Sequence, residues 1–183
     1  MNNPLFLAKN MDLKSKIREI PDWPIVGVNF KDITTLLEDA NTFKYVIDKM
    51  AEPFLDKKID KIVVLDARGF LLGAPIAYNL GVGVCLVRKK GKLPFKTVEA
   101  TYEKEYGQDT VVMHQDTIKP GEKVLIVDDL LATGGTLGAA IELVEKLGGE
   151  VIGVSLIVDL PFLGGSKKFE KYDLSWLVSY ESE

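Results

Sequence analysis

The chain has 183 residues, 46% hydrophobic and 27% charged, which is globular composition with enough length for one sizeable core. Its 23 Lys and Arg against 27 Asp and Glu leave a net charge of −4, so no bulk positive field exists to hold a polyanion and non-specific nucleic-acid binding is disfavoured. A single cysteine (Cys85), no basic n-region before a long apolar stretch, and no apolar run near the roughly 18 to 20 residues of a membrane span lead us to expect a soluble protein of the reducing cytoplasm.

No repeat, low-complexity tract or linker divides the sequence, so residues 1–183 read as a single domain. Phe43, Val46, Ile47, Met50 and Phe54 share one helical face, which predicts an amphipathic helix ahead of the first strand. Residues 61–66 (KIVVLD), 83–87 (GVCLV), 123–128 (KVLIVD) and 151–158 (VIGVSLIV) are apolar, β-branched runs without clear alternation, as in parallel strands buried on both faces. The polar stretch from Lys89 to Pro120 is long for a connection and reads as a lid or binding loop. It is equally readable as a hairpin with arms at Glu99 to Tyr106 and Thr110 to Met113. Leu137, Ala140, Ile141, Val144 and Leu147 form a second helical face, stopped by Gly148 and Gly149. Leu174, Trp176, Val178 and Tyr180 alternate, which predicts a late strand with one buried face. Strands alternating with helices define the fold class as α/β, with a parallel-stranded twisted sheet flanked by helices.

Chemistry concentrates where strands end. Val124 to Thr136 (VLIVDDLLATGGT) is a buried strand, two acids, a small-residue turn and the start of a helix. Backbone N–H groups of Ala132, Thr133, Gly134, Gly135 and Thr136 converge there with two hydroxyls, which suits a phosphate dianion. Asp128 and Asp129 beside that cradle would repel a second phosphate but accept hydrogen bonds from a sugar diol. A P-loop is excluded because the turn lacks its lysine. A dinucleotide fingerprint fits in part: Thr133 to Gly138 keeps two of three glycines in register, with Asp159 placed as a ribose acid. A second turn of the same layout, Lys61 to Phe70 (KIVVLDARGF), offers Arg68 and the N–H groups around Gly69 as another anion site. Its bland alternative is a surface ion pair between Asp66 and Arg68. Neighbouring strands in an open α/β sheet would aim both turns into one crevice. Cys85 lies in an apolar run and reads as core, and His114, the sole histidine of the sequence, supports neither a His-based metal cage nor a triad.

VLIVDDLLATGGT resembles the signature of the type I phosphoribosyltransferases. PDWPIVGVNFKDITTLL (residues 21–37), DARGF with LLGAPIA, VRKKGKLP (residues 87–94) and YEKEYGQD (residues 102–109) fall in family order across most of the chain and are similar to the branch that uses adenine. The resemblance implies that Ala132 to Thr136 hold the 5′-phosphate of phosphoribosyl pyrophosphate (PRPP) and that Asp128 and Asp129 bind the ribose hydroxyls. It implies that Arg68, with Asp66, Ala67 and Gly69 in the same turn, holds pyrophosphate, reached also by Arg88, Lys89 and Lys92 from a neighbouring subunit, and hence a homodimer. Residues 1–40 would form an N-terminal hood over the base, in which the Asn29–Phe30–Lys31 loop reads the purine edge with backbone groups and the Phe30 ring stacks on it. The family usually has Arg where Lys31 stands. Residues 102–109 match a mobile loop that closes over the site, with Glu105 near the purine and Tyr106 near the leaving group.

The implied reaction is transfer of 5-phosphoribose from PRPP to adenine, giving AMP and pyrophosphate, as in purine salvage. It needs no protein nucleophile, and Mg²⁺ would be bound mainly through PRPP oxygens. Three alternatives stay open on the sequence: a phosphoribosyltransferase for hypoxanthine, guanine or xanthine, a PRPP-sensing regulator, and a dinucleotide oxidoreductase. The regulator would need a DNA-reading module for which the N-terminal residues leave little room.

Overall fold

The computed structural model describes residues 11–103 and 107–182. A two-stranded antiparallel ribbon, β1 (Arg18–Ile20) and β2 (Phe30–Asp32), precedes α1 (Thr34–Glu38) and α2 (Ala40–Ala51). Asp39 starts α2 by accepting hydrogen bonds from Thr42 N at 2.8 Å and Thr42 Oγ1 at 2.6 Å, satisfying a donor of the first turn. There follow β3 (Lys61–Leu65), α3 (Arg68–Leu80), β4 (Gly83–Lys89), β5 (Thr97–Glu103), β6 (Gln108–His114), β7 (Lys123–Val127), β8 (Leu130–Leu131), α4 (Gly135–Lys146), β9 (Glu150–Asp159) and β10 (Leu174–Ser179).

The main sheet runs β10-β9-β7-β3-β4-β6-β5, with the short β8 paired to β9. Pairing is parallel from β10 to β4 and antiparallel through β6 and β5, so the expected parallel sheet carries a hairpin on one edge. That hairpin pairs Thr97 with His114 through Glu103 with Gln108, close to the arms expected from the sequence. Successive residues of β3 and β7 feed two cores, as a strand covered on both faces must. Ile62, Val64, Leu125 and Val127 pack with α2 and α3, whereas Val63, Leu65, Val124 and Ile126 pack with α4 and the hairpin. Each such side chain contributes about 1.5 to 3 kcal/mol when fully buried.

Two strands depart from expectation. In β4, Cys85 and Val87 are buried, but Val84 and Leu86 remain 40% and 39% exposed. They pair with Ile62 and Val64, hence lie on the α3 side of the sheet, and the helix covers β3 more completely than this strand. In β10, Val178 is buried while Trp176 is 40% exposed, and Leu177, on the alternate parity, also packs against the core, so the strand does not bury the single face expected. Cys85 is buried, as expected of a core thiol; its Sγ approaches Thr117 O at 3.5 Å, and burial pushes the thiol pKa up. Among the described residues no helix is long and apolar enough to cross a membrane.

Candidate active site

Because β3 and β7 are adjacent and parallel, the residues after them emerge side by side at one edge of the sheet. The two turns touch. A Cβ built on Gly69 would lie 2.9 Å from Val127 O and 3.0 Å from Asp128 Oδ1, so no larger residue fits without displacing the strand end. The Asp66–Ala67 peptide is cis, and Ala67 caps α3. Arg68 and Gly69 therefore sit in a first helical turn, whose N–H groups lack intrahelical acceptors.

Arg68 does not pair with Asp66. Its Nε lies 2.6 Å from Asp129 Oδ2, an ion pair made by approach rather than by an aligned hydrogen bond, since no donor hydrogen points at that oxygen. Asp66 instead accepts a hydrogen bond from Arg88 Nε at 3.0 Å. Arg88 Nη1 also donates to Lys92 O at 3.4 Å, so within its own chain Arg88 braces the Asp66 turn and the end of β4. Lys89 is exposed and 3.6 Å from Asp109, and Lys92 is exposed beside it.

Asp128 and Asp129 stand at the floor of the crevice. Burial and the neighbouring Asp129 charge raise the Asp128 carboxyl well above the ordinary carboxylate range; burial raises Asp129 too, while the Arg68 guanidinium opposes that shift. Asp129 is also fastened through its backbone, its carbonyl accepting from Ile157 N at 3.1 Å and Val158 N at 3.0 Å. The pair is thus held rigidly with one carboxylate oxygen awaiting a donor.

The small-residue turn opens α4. Gly134 is its N-cap with φ +82°, a left-handed conformation that favours glycine, and Gly135 and Thr136 form the first turn with their N–H groups free of intrahelical acceptors. Ala132, Thr133, Gly134, Gly135 and Thr136 line a hollow of about 190 Å³ together with Asp128, Leu130, Leu131 and two hairpin residues, Tyr102 and Glu103. Asp128 thus lines the hollow of the cradle and lies against Gly69, and Asp129 lies against Arg68, so the cradle, the acid pair and the Arg68 turn are contiguous. Asp159, the expected ribose acid of a dinucleotide site, is buried at the end of β9 and does not line the hollow at the start of α4.

Asn29, Phe30 and Lys31 lie on or beside β2. Phe30 faces the crevice: its ring centroid is 5.5 Å from the Arg68 guanidinium carbon and 4.4 Å from the Trp23 ring, at an interplanar angle of 69°. Lys31 turns the other way, into the protein, and Asn29 Nδ2 donates to Glu19 Oε2 at 2.6 Å. Glu105 and Tyr106 lie outside the described residues.

Sequence reasoning missed the residues that press on the cradle from outside. The Tyr102 ring packs against Gly135, and its hydroxyl accepts from Thr136 Oγ1 at 3.1 Å. From the opposite side Phe169 packs against Gly134 and Gly138, Gly165 abuts Ala132 O, and Lys168 Nζ donates to Thr133 O at 2.8 Å. Tyr102 could have been suspected from its place at the head of YEKEYGQD; nothing local to residues 165–169 signals that they meet residues 132–138.

A small-residue helix N-terminus beside two acids, with a second turn carrying an arginine on the adjacent strand, has the donors and acceptors that suit a phosphorylated sugar. The phosphoribosyl transferase domain family matches residues 32–179, and the chain belongs to that family. Its relatives narrow the class. An adenine phosphoribosyltransferase of Clostridium botulinum is 56% identical over 170 residues, covering 93% of this chain and 99% of the relative. The crystal structure of adenine phosphoribosyltransferase from Thermoanaerobacter pseudethanolicus superposes with a TM-score of 0.88 at 50% identity, covering 91% of this chain and 97% of that one. The Saccharomyces cerevisiae enzyme, complexed with D-2,5-dideoxy-2,5-imino-altritol 1,6-bisphosphate and adenine, gives a TM-score of 0.86 at 40% identity, covering 91% and 96%.

Proposed function

We infer that this protein transfers the 5-phosphoribosyl group of PRPP to adenine, giving AMP and pyrophosphate. The observation that supports this reading is the contiguity of three features, with Asp128 lining the hollow of the α4 cradle and Asp129 lying against Arg68 of the adjacent turn. It provides, in order, a place for a 5′-phosphate, a place for a ribose diol and a place for pyrophosphate. Phe30 stands over the Arg68 turn, so a purine stacked on it would approach the anomeric carbon as the leaving group departs. The N-terminal residues through about 40 would act as the hood over that base.

The reaction develops positive charge on the ribose ring. Asp128 and Asp129, buried and fixed by the backbone of β9, are placed to stabilise that charge while binding the hydroxyls. Before substrate arrives, the Arg68 guanidinium lies against the Asp129 carboxylate as its counter-charge; with PRPP bound, Arg68 turns to the pyrophosphate and the Asp129 carboxylate is released to the diol. No protein nucleophile takes part. We assign to Glu105 the proton on the purine as N9 attacks, worth about 10²- to 10⁴-fold for a well-placed group, and to Tyr106 a contact with the leaving group. A divalent cation fits this donor set, because a buried pair of carboxylates beside substrate oxygens is how Mg²⁺ is commonly held. When bound on PRPP, Mg²⁺ supplies charge neutralisation at the pyrophosphate.

The enzyme is further proposed to be a cytoplasmic homodimer. Val84, Leu86, Leu71 and Tyr78 expose apolar surface on β4 and α3, the last at 87%, which supports a second copy covering that face. Lys89 and Lys92, at the end of the same strand, would then reach the partner's pyrophosphate, with Arg88 acting at the turn. Pyrophosphate release from PRPP and Mg²⁺, with adenine, hypoxanthine, guanine and xanthine supplied singly, tests the reading. Release with adenine alone is expected. Release with another base would overturn the base assignment, and PRPP binding without release would favour a sensor.

A further inference from the structure

The strand that carries Phe30 has two faces of opposite chemistry. Phe30 looks into the crevice, toward Arg68 and Trp23. Lys31, one residue on, points to the other side, as strand geometry requires. Its side chain is 3% exposed, with Nζ 3.2 Å from Glu19 Oε2 and 4.5 Å from the centroid of the Tyr180 ring. A buried ammonium is costly unless partnered, and here a carboxylate and an aromatic face supply the partners.

Those partners belong to different parts of the fold. Glu19 lies directly opposite Lys31 in the β1–β2 register, and the same carboxylate oxygen accepts from Asn29 Nδ2, the residue on the other side of Phe30. Tyr180 follows β10 at the far edge of the main sheet, and its N–H donates to Asp159 O at 3.2 Å. Residues 29 and 31 are thus fastened to Glu19, and Lys31 also reaches an aromatic ring tied to the end of β9. Phe30 is gripped on both sides by side chains that face away from the crevice.

We propose that Lys31 is a positioning residue for base recognition: the Glu19–Lys31–Tyr180 cluster sets where Phe30 sits over the purine, without Lys31 touching the purine. The proposal rests on the reading of Phe30 as the purine platform. Arginine would satisfy the same partners, since a guanidinium pairs with carboxylates and stacks on aromatic rings. An apolar residue of similar length would fill the space and lose both contacts.

The test is steady-state kinetics with both substrates, and thermal melting, on wild type, Lys31→Met, Lys31→Arg, Glu19→Gln and Phe30→Leu. Lys31→Met is expected to raise KM for adenine about 10-fold, with KM for PRPP and kcat changed less than about 2-fold, and Lys31→Arg to restore most of the loss. Glu19→Gln, at a half-exposed partner, is expected to raise KM for adenine about 3-fold and serves if Lys31→Met fails to fold. Equal increases in both KM values would overturn the proposal, as would an unchanged adenine KM in Lys31→Met or Glu19→Gln while Phe30→Leu raises it. An unchanged adenine KM in Phe30→Leu would instead overturn the platform reading beneath it.

Discussion

Asp128 carries two opposed demands. In the proposed reaction its carboxylate accepts from ribose hydroxyls, yet burial and the Asp129 charge hold its pKa well above the ordinary value of 3.8. An acid raised in the folded state contributes stability that is complete below its unfolded pKa and is lost as pH climbs through the elevated one. Asp128→Asn should therefore raise Tm at about pH 7 by roughly 2 to 4 °C, or about 1 kcal/mol. The gain should grow as pH rises above the unfolded carboxylate range and vanish as pH falls toward it, while turnover falls by about 10²-fold or more. Calorimetry as a function of pH checks the sign, and a variant less stable than wild type at about pH 8 would contradict it. Tyr102 poses a simpler question. Its hydrogen bond with Thr136 is worth about 0.5 to 1.5 kcal/mol, so Tyr102→Phe should raise KM for PRPP about 2- to 10-fold and leave KM for adenine alone.

The cradle shows how a secondary-structure element obtains its shape from outside itself. Gly134 holds φ +82°, and a Cβ there would come within 2.6 Å of Phe169 Cε2. Gly134→Ala combines left-handed strain with that clash. It should cost about 1 to 3 kcal/mol and raise KM for PRPP steeply, and Phe169→Leu in the same background should recover part of the Tm but not the affinity. An affinity restored by Phe169→Leu would show that the clash, not the glycine conformation, matters to phosphate binding. The elements themselves were largely legible: β3, β7 and α4 lie within a residue or two of their expected bounds, because continuous apolar runs and a 3.6-residue period are strong local signals. The burial of β4 was not legible. GVCLV reads like its neighbours, yet Val84 and Leu86 stay exposed because burial depends on which helix crosses above.

That exposed face sets the prediction for the whole molecule. Leu86→Glu places a charge on the apolar side of β4 without touching the core formed by Cys85 and Val87. If the proposed dimer forms through this face, light scattering should report a dimer for wild type and a monomer for the variant, and activity should fall as Lys89 and Lys92 are withdrawn from the neighbouring site. A fully active monomer would confine the site to one chain. Charge across the molecule agrees with a small anionic substrate held locally: the net charge is −4, and the positive groups that count are placed singly, Arg68 at one turn and Arg88 beside it.

Local pattern was enough for the class of fold and for the strand, acid pair, small-residue turn and helix start of residues 124–136, because such a sequence constrains its own geometry within a dozen residues. Contacts between distant segments were decided only in three dimensions. The sequence placed Asp66, Arg68, Arg88 and Asp129 in candidate sites but not in partnership; packing β3 between β4 and β7 paired Arg68 with Asp129 and Asp66 with Arg88. Nothing in the sequence signalled where the Lys31 side chain would go, and strand alternation turned it to Glu19 and Tyr180. Residues 165–169 gave no local sign of meeting the cradle, since the chain returns there only after β9 has crossed the sheet. Hydrophobic period and turn chemistry act over a few residues and are written along the chain, whereas charge pairing and burial depend on neighbours that folding brings together.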